Sequence, residues 1–281
     1  MKCQWDKLLE VLPPKLRWGV DKLGRESLEE LRLRVGRPAE LIFSGCKSQV
    51  SHMITQEDVN YVLNAASGFS PWAVGTVTSG YLTVPGGHRI GLCGEWVQQN
   101  GQIKAIRQIS SMCIRVARAY SGIADNAPLS GSLLILGPPG AGKTTLLRDL
   151  IRRRSELRCA ISVIDERGEL FPPGGVFEAG PRTDVFTGCG KEIGVYMALK
   201  TMGPGCIAVD EITAPADCRA LVAAGWCGID LLATVHAFNC EDLYRRGVYQ
   251  PLVRTGLFTQ ALVLQRDKSW KLERVAKWAS D

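Results

Sequence analysis

A chain of 281 residues, 46% hydrophobic and 22% charged, has a globular composition with room for two domains of ordinary size, which excludes a disordered chain. A net charge of +6 lies below what a dedicated nucleic-acid binder carries. The longest apolar runs, such as Leu133–Leu136 and Cys206–Val209, fall far short of the roughly 20 residues that span a bilayer.

The N-terminus, MKCQWDKLLEVLPPK, interleaves charges and a proline pair where a secretory signal needs an unbroken apolar core, so the chain reads as cytoplasmic. Residues 28–35 (LEELRLRV) alternate leucine with charge and stop at Gly36-Arg37-Pro38; helix and strand both fit them. Residues 57–66 carry helical spacing behind Thr55, a suitable cap. Residues 81–84, 89–93 and 114–117 read as short strands, with Pro85-Gly86-Gly87 and Asn100-Gly101 as tight hairpin turns. The turn-rich stretch 120–132 is the predicted linker, with the boundary near Asn126: residues 1–125 form a smaller α+β domain with an antiparallel sheet, and 126–281 the second domain.

After the linker, strands at Leu133–Leu136, 160–164, Cys206–Val209 and 229–235 alternate with helices at 144–157, 192–202 and 216–224, and 261–264 begins an edge hairpin. That alternation predicts an α/β domain with a mainly parallel sheet covered on both faces. There is no internal repeat. The ten cysteines are scattered, none closer than Cys218 and Cys227 and none as C-x-x-C, so they read as reduced, mostly buried thiols; His52, His88 and His236 lie too far apart for a structural zinc site.

The apolar strand at Leu133–Leu136 runs into GPPGAGKT and then a helix-forming segment, the context in which this motif cradles phosphate. Gly137, Pro138, Pro139, Gly140, Ala141, Gly142, Lys143, Thr144 and Thr145 are the predicted nucleotide contacts. Backbone N–H groups and the helix N-terminus face the phosphates. Lys143 reaches the β- and γ-phosphates of ATP, and the Thr144 hydroxyl ligates Mg²⁺. Four apolar residues ending in Asp210-Glu211 put two acids at a strand tip, the edge where open α/β sheets bind ligands. Asp210 is predicted to hold the magnesium through its water shell, and Glu211 to orient and deprotonate the attacking water. A second cluster, Asp165, Glu166, Arg167 and Glu169, follows another strand and faces the same cleft; Glu166 or Glu169 places the water, or ion pairing with Arg167 accounts for the cluster without catalysis. His236 follows the strand at 229–235, read as the neighbour of the Asp210 strand; with Thr234 near the end of that strand it senses the γ-phosphate, or it is an ordinary polar group at a sheet edge.

GPPGAGKT, IDERGEL, IAVDE and ATVHA, in this order, resemble the phosphate loop, acidic box, Asp-Glu strand and histidine box of the secretion-type ATPase superfamily. RVGRPAEL at 34–41, SGYLTVPGGHRIGLCGE at 79–95, IRVAR at 114–118 and GPRTDV at 180–185 narrow the resemblance to the stage III sporulation AA family. The resemblance implies a RecA-like P-loop ATPase domain, a homo-oligomer such as a hexamer, and work at a membrane-embedded sporulation channel between mother cell and forespore, with the protein peripheral to that complex. It also raises Arg89, Arg115, Arg118 and Arg182, the last beside Asp184, as nucleotide or interface arginines, against a reading as solvated positions. Residues 71–78, PWAVGTVT, depart from the family in lacking acidic helical character. Two other functions stay open. A nucleic-acid-stimulated ATPase is suggested by Arg152-Arg153-Arg154 with Arg148 and Arg158, a run that otherwise reads as a solvated helix face. The other is a nucleotide-gated scaffold with little turnover.

Overall fold

The computed structural model describes residues 2–68, 80–172, 174–265 and 267–275; residues 71–78, with their departure from the family pattern, lie outside this set. The chain divides into two compact units, 1–119 with 172–176, and 120–171 with 177–281.

In the first unit, helices α1 (Trp5–Val11) and α2 (Pro14–Gly24) precede strands β1 (Glu30–Arg34), β2 (Pro38–Phe43) and β3 (Cys46–Met53), helix α3 (Gln56–Ala66), and strands β4 (Tyr81–Thr83), β5 (Arg89–Gln99) and β6 (Gln102–Arg115). The strands form an antiparallel sheet ordered β3-β2-β1-β6-β5-β4. The ambiguous segment at 28–35 is a strand: period two buries Leu31 and Leu33 and turns its arginines to the other face. Thr55 caps α3 in a reciprocal box, accepting from Asp58 N at 3.2 Å while Asp58 Oδ2 accepts from Thr55 N at 2.9 Å. The strands expected at 89–93 and 114–117 are the ends of one long hairpin, turned by Asn100 (φ 52°) and Gly101 (φ 73°), the paired positive φ of a type I′ turn. Its distal half is mostly exposed, so no apolar alternation marked it.

Arg118 is buried and donates to the carbonyls of Leu28, Gly24 and Arg25 at 3.3, 3.2 and 3.0 Å. It braces the turn after α2 and is neither a solvated position nor a free nucleotide arginine. Arg115 is exposed, 3.4 Å from Glu30, and Arg89 stacks 3.9 Å from the Tyr81 ring centre.

The second unit contains β7 (Leu133–Leu136), α4 (Lys143–Glu156), β8 (Ile161–Asp165), β9 (Thr183–Thr187), α5 (Lys191–Thr201), β10 (Cys206–Val209), α6 (Pro215–Trp226), β11 (Asp230–Val235), α7 (Cys240–Arg245), α8 (Gln250–Thr255), β12 (Gln260–Leu264) and β13 (Trp270–Arg274). They build a seven-stranded sheet ordered β13-β12-β7-β11-β10-β8-β9, parallel except for β13. Alternate residues feed two cores. Leu134, Leu136, Ile207, Val209, Ala233 and Val235 point to the face covered by α5 and α6, whereas Leu133, Ile135, Cys206, Ala208 and Leu232 meet α4 on the other. The hairpin expected to begin at 261–264 is present at the sheet edge: β12 pairs antiparallel with the edge strand β13 and, on its other side, parallel with β7.

Two further expectations change. Only Cys206, Cys218 and Cys240 of the ten free cysteines are buried; Cys46, Cys93 and Cys227 are exposed. The arginine run is not a solvated face. Arg154 is 1% exposed and donates to the carbonyl of Gly131 at 2.9 Å. Arg152 bridges Asp149 and Glu156, each at 2.7 Å, and Arg153 donates to the Ala124 carbonyl. Among the described residues, no helix is long and apolar enough to cross a membrane.

Candidate active site

Because β7, β8, β10 and β11 run parallel, Gly137, Asp165, Asp210 and His236 emerge at one edge of the sheet, where the crevice of an open α/β sheet lies. The loop from Gly137 closes onto α4 through Gly140 (φ 77°) and Gly142 (φ 100°), a left-handed backbone that glycine adopts without a Cβ penalty. Gly142 is the helix cap and offers no side chain, and the first i to i−4 bond runs from Leu146 N to Gly142 O at 2.9 Å. The amides of residues 142–145 therefore have no intrahelical acceptor. Together with the positive end of the helix dipole they form a cradle suited to phosphate. Thr145 lies in this first turn, Ala141 is buried, and Pro139 is exposed at the tip of the loop.

Lys143 is buried. Its Nζ donates to the carbonyls of Gly137 and Pro138 at 2.9 Å each and to His236 Nδ1 at 3.0 Å. Burial lowers its pKa, while Asp210 and Glu211 oppose that shift. With Nδ1 accepting from an ammonium, the His236 proton is assigned to Nε2, which donates to Glu211 Oε1 at 3.1 Å. A hydrogen-bonded chain thus runs from the phosphate-loop lysine through His236 to Glu211.

A second chain joins the same elements. Thr144 Oγ1 donates to Asp210 Oδ2 at 2.8 Å, Thr234 Oγ1 donates to Asp210 Oδ1 at 2.6 Å, and Glu211 N donates to Thr234 Oγ1 at 2.7 Å. Glu211 has φ 53°. A non-glycine residue held there costs on the order of 1–3 kcal/mol and persists only where its surroundings fix it; the Thr234 bond is one such restraint. The Thr144 hydroxyl and Asp210 carboxylate are hard oxygen donors of the kind Mg²⁺ takes. Among the described residues no group of three or more His, Cys, Asp or Glu side chains is arranged to hold a metal, so magnesium at this pair would draw its other ligands from phosphate and water.

The acidic segment divides by role. Asp165 is 3% exposed and turns inward: Oδ1 accepts from Glu169 N at 2.8 Å and Oδ2 from Phe171 N at 2.9 Å. Burial raises its pKa against those N–H donors. From the opposite side Arg148 donates to the carbonyls of Leu170, at 2.7 Å, and Glu169, and lies 4.0 Å from the Phe177 ring centre. Burial pushes Arg148 down to about 10. The loop carrying Glu166 and Glu169 is thereby held by the buried Asp165 and the half-buried Arg148.

The expected pairing with Arg167 is corrected: Glu166 Oε2 lies 2.6 Å from Lys191 Nζ, and Arg167 faces Glu211 Oε2 at 4.0 Å. Asp165, Glu166, Arg167, Glu169, Lys191, Asp210 and Glu211 line one open cleft. Glu166, Glu169 and Glu211 are thus brought together, and His236 joins them through Glu211. Arg182 is exposed, and among the described residues no ion pair joins it to Asp184. Sequence reasoning missed Lys191 and the clamp by Arg148. Lys191 follows a strand tip of the same sheet, the one signal that points to it.

The family described as sporulation stage III, protein AA matches residues 4–274. Stage III sporulation protein AA of Bacillus subtilis (strain 168) is 34% identical over 94% of this chain and 92% of its own length. Protein SEEDLING PLASTID DEVELOPMENT 1 of Arabidopsis thaliana is 26% identical over 88% of this chain, which spans 36% of that protein. Among solved structures, the pilus retraction motor PilT with bound ADP superposes with a TM-score of 0.63 at 17% identity, covering 95% of this chain and 81% of its own. The Legionella pneumophila ATPase DotB gives 0.58 at 18% identity, covering 87% of this chain and 75% of its own. At such identities the solved structures establish a shared fold. The family match over nearly the whole chain, with a curated relative above 30% identity, places the chain in the stage III sporulation protein AA family.

Proposed function

We propose that the chain is a magnesium-dependent ATPase of the secretion type, working as a homo-oligomer, such as a hexamer, in the cytoplasm at the surface of a membrane-embedded sporulation channel between mother cell and forespore. One observation carries the reading. The phosphate-loop residues Lys143 and Thr144 are hydrogen-bonded, through His236 and Asp210, to the strand tip that bears Glu211. A loop that only bound nucleotide would have no need of that coupling.

In this reading the amides of 142–145 and Lys143 bind the β- and γ-phosphates of the substrate and offset charge as it develops. Thr144 and Asp210 would hold Mg²⁺, which would supply neutralisation of phosphate charge. Glu211 orients the attacking water and takes its proton, and His236 holds the Glu211 carboxylate in place. Water attacks the γ-phosphorus, the bond to the β,γ-bridging oxygen breaks, and ADP and inorganic phosphate leave.

The nucleic-acid-stimulated alternative is weakened, because Arg148, Arg152, Arg153 and Arg154 are committed to protein partners and only Arg158 of that group is exposed. The test is ATP turnover per subunit measured across protein concentration alongside oligomeric state, with and without single-stranded DNA. Turnover that rises with self-association and is indifferent to DNA supports the proposal. Turnover from a species that stays monomeric, or salt-sensitive stimulation by DNA, contradicts it.

A further inference from the structure

Lys191 is the cleft cation that the hydrolysis scheme leaves without a task. It opens helix α5, is 9% exposed, and its Nζ lies 2.6 Å from Glu166 Oε2. A desolvated ammonium needs an opposite charge and hydrogen-bond acceptors, and Glu166 supplies both. The other carboxylate oxygen, Oε1, lies 3.9 Å from the position a Cβ on the helix cap Gly190 would take, so the carboxylate lies beside the start of an eleven-residue helix. Lys191 thus holds a Glu166 side chain that is 42% exposed and would otherwise turn into solvent. Five carboxylates, Asp165, Glu166, Glu169, Asp210 and Glu211, line the cleft against Arg167 and Lys191, and Arg167 faces Glu211. Lys191 is the cation paired with Glu166 on the acidic loop, where an anionic substrate must approach.

We propose that Lys191 is a positioning residue for hydrolysis: it fixes the Glu166 carboxylate at the cleft wall, so that Glu166, and not Glu169, joins Glu211 in orienting the attacking water. The proposal rests on the ATPase reading. It makes α5 a sensor of the site, since a displacement of its N-terminus moves Glu166.

The experiment measures kcat and KM for ATP with Mg²⁺, and the melting temperature, for wild type, Lys191→Met, Lys191→Arg, Glu166→Gln, Glu169→Gln and the Lys191→Met/Glu166→Gln double variant. Lys191→Met should lower kcat on the order of 10- to 100-fold, the scale on which orienting partners act, with KM within about 3-fold of wild type. Lys191→Arg should restore most of the rate. Glu166→Gln should match Lys191→Met, the double variant should be no worse than the poorer single, and Glu169→Gln should stay near wild type. Wild-type kcat in Lys191→Met, multiplying losses in the double variant, or equal losses in the two Gln variants would each overturn the proposal while leaving the ATPase reading in place. If Lys191→Met melts early, the comparison of Lys191→Arg, Glu166→Gln and Glu169→Gln decides. An inactive wild type would remove the ATPase reading and this proposal together.

Discussion

Thr234→Val is the most informative single substitution, because one hydroxyl serves both acids at the β10 tip. Thr234 is fully buried; its Oγ1 donates to Asp210 Oδ1 at 2.6 Å and accepts from Glu211 N at 2.7 Å. Valine has nearly the same shape, so no cavity opens and the change isolates the hydroxyl. Losing a hydrogen bond to a charged group costs about 1.5–3 kcal/mol, and a donor left without a partner about 1–3 kcal/mol. Together these predict a loss of about 4 kcal/mol, or a melting temperature lower by about 10 °C for a domain of this size. Function should fall further than stability. Without the Thr234 acceptor the Glu211 backbone, at φ 53°, is free to relax and carry its carboxylate away from the water, so kcat should drop on the order of 100-fold. Thr234→Ser should keep most of the activity. Thermal melts and phosphate-release kinetics on the three proteins check this. A Thr234→Val protein that melts within about 2 °C of wild type and turns over at the wild-type rate would refute the reasoning.

Arg118→Met should destabilise the first unit by about 2–4 kcal/mol, since three carbonyls between Gly24 and Leu28 lose a charged donor, and should leave nucleotide affinity unchanged; lost affinity at full stability would restore Arg118 as a nucleotide contact. His88 is fully buried, accepting from Ala117 N on Nδ1 and facing the Gln4 carbonyl with Nε2, and burial lowers its pKa. The unfolded chain therefore binds the proton more readily, so the stability due to neutral His88 is present above pH about 6.5 and is lost progressively as the pH falls below it. Urea melts between pH 7.5 and 5 should show that slope in wild type, flattened in His88→Gln. Lys143→Ala should abolish most nucleotide binding, as read by fluorescent-nucleotide titration; unchanged affinity would remove the phosphate-loop assignment.

The second unit was legible because its strands are short and continuously apolar, and because a phosphate loop and an Asp-Glu tip carry their chemistry in adjacent residues. The neighbouring positions of β10 and β11, inferred from that alternation, are what bring Thr234 and His236 to Asp210 and Glu211. Composition could not reveal the partners of charged side chains. The arginines of α4 read as a solvated run, yet Arg154 is enclosed because carbonyls 23 residues upstream in sequence return to it. Lys191 and Glu166 are 25 residues apart and carry no motif between them. Strand β9, TDVFT, is buried at no position, and helices α1 and α2 bury their apolar faces without the long periodic run that makes a helix evident. The β5–β6 hairpin hid its length for the opposite reason: beyond the pair Trp96 and Ile106, which packs on the core, its distal ladder is mostly exposed and carries no apolar pattern.

The central claim is that Glu211 converts a phosphate cradle into a hydrolytic site. Steady-state phosphate release and ATP affinity, measured side by side in wild type and Glu211→Gln, test it directly. The account predicts that the variant binds ATP as tightly as wild type while turnover falls by about 100-fold or more. Equal turnover in the two proteins would contradict it and leave a nucleotide-gated scaffold as the better description.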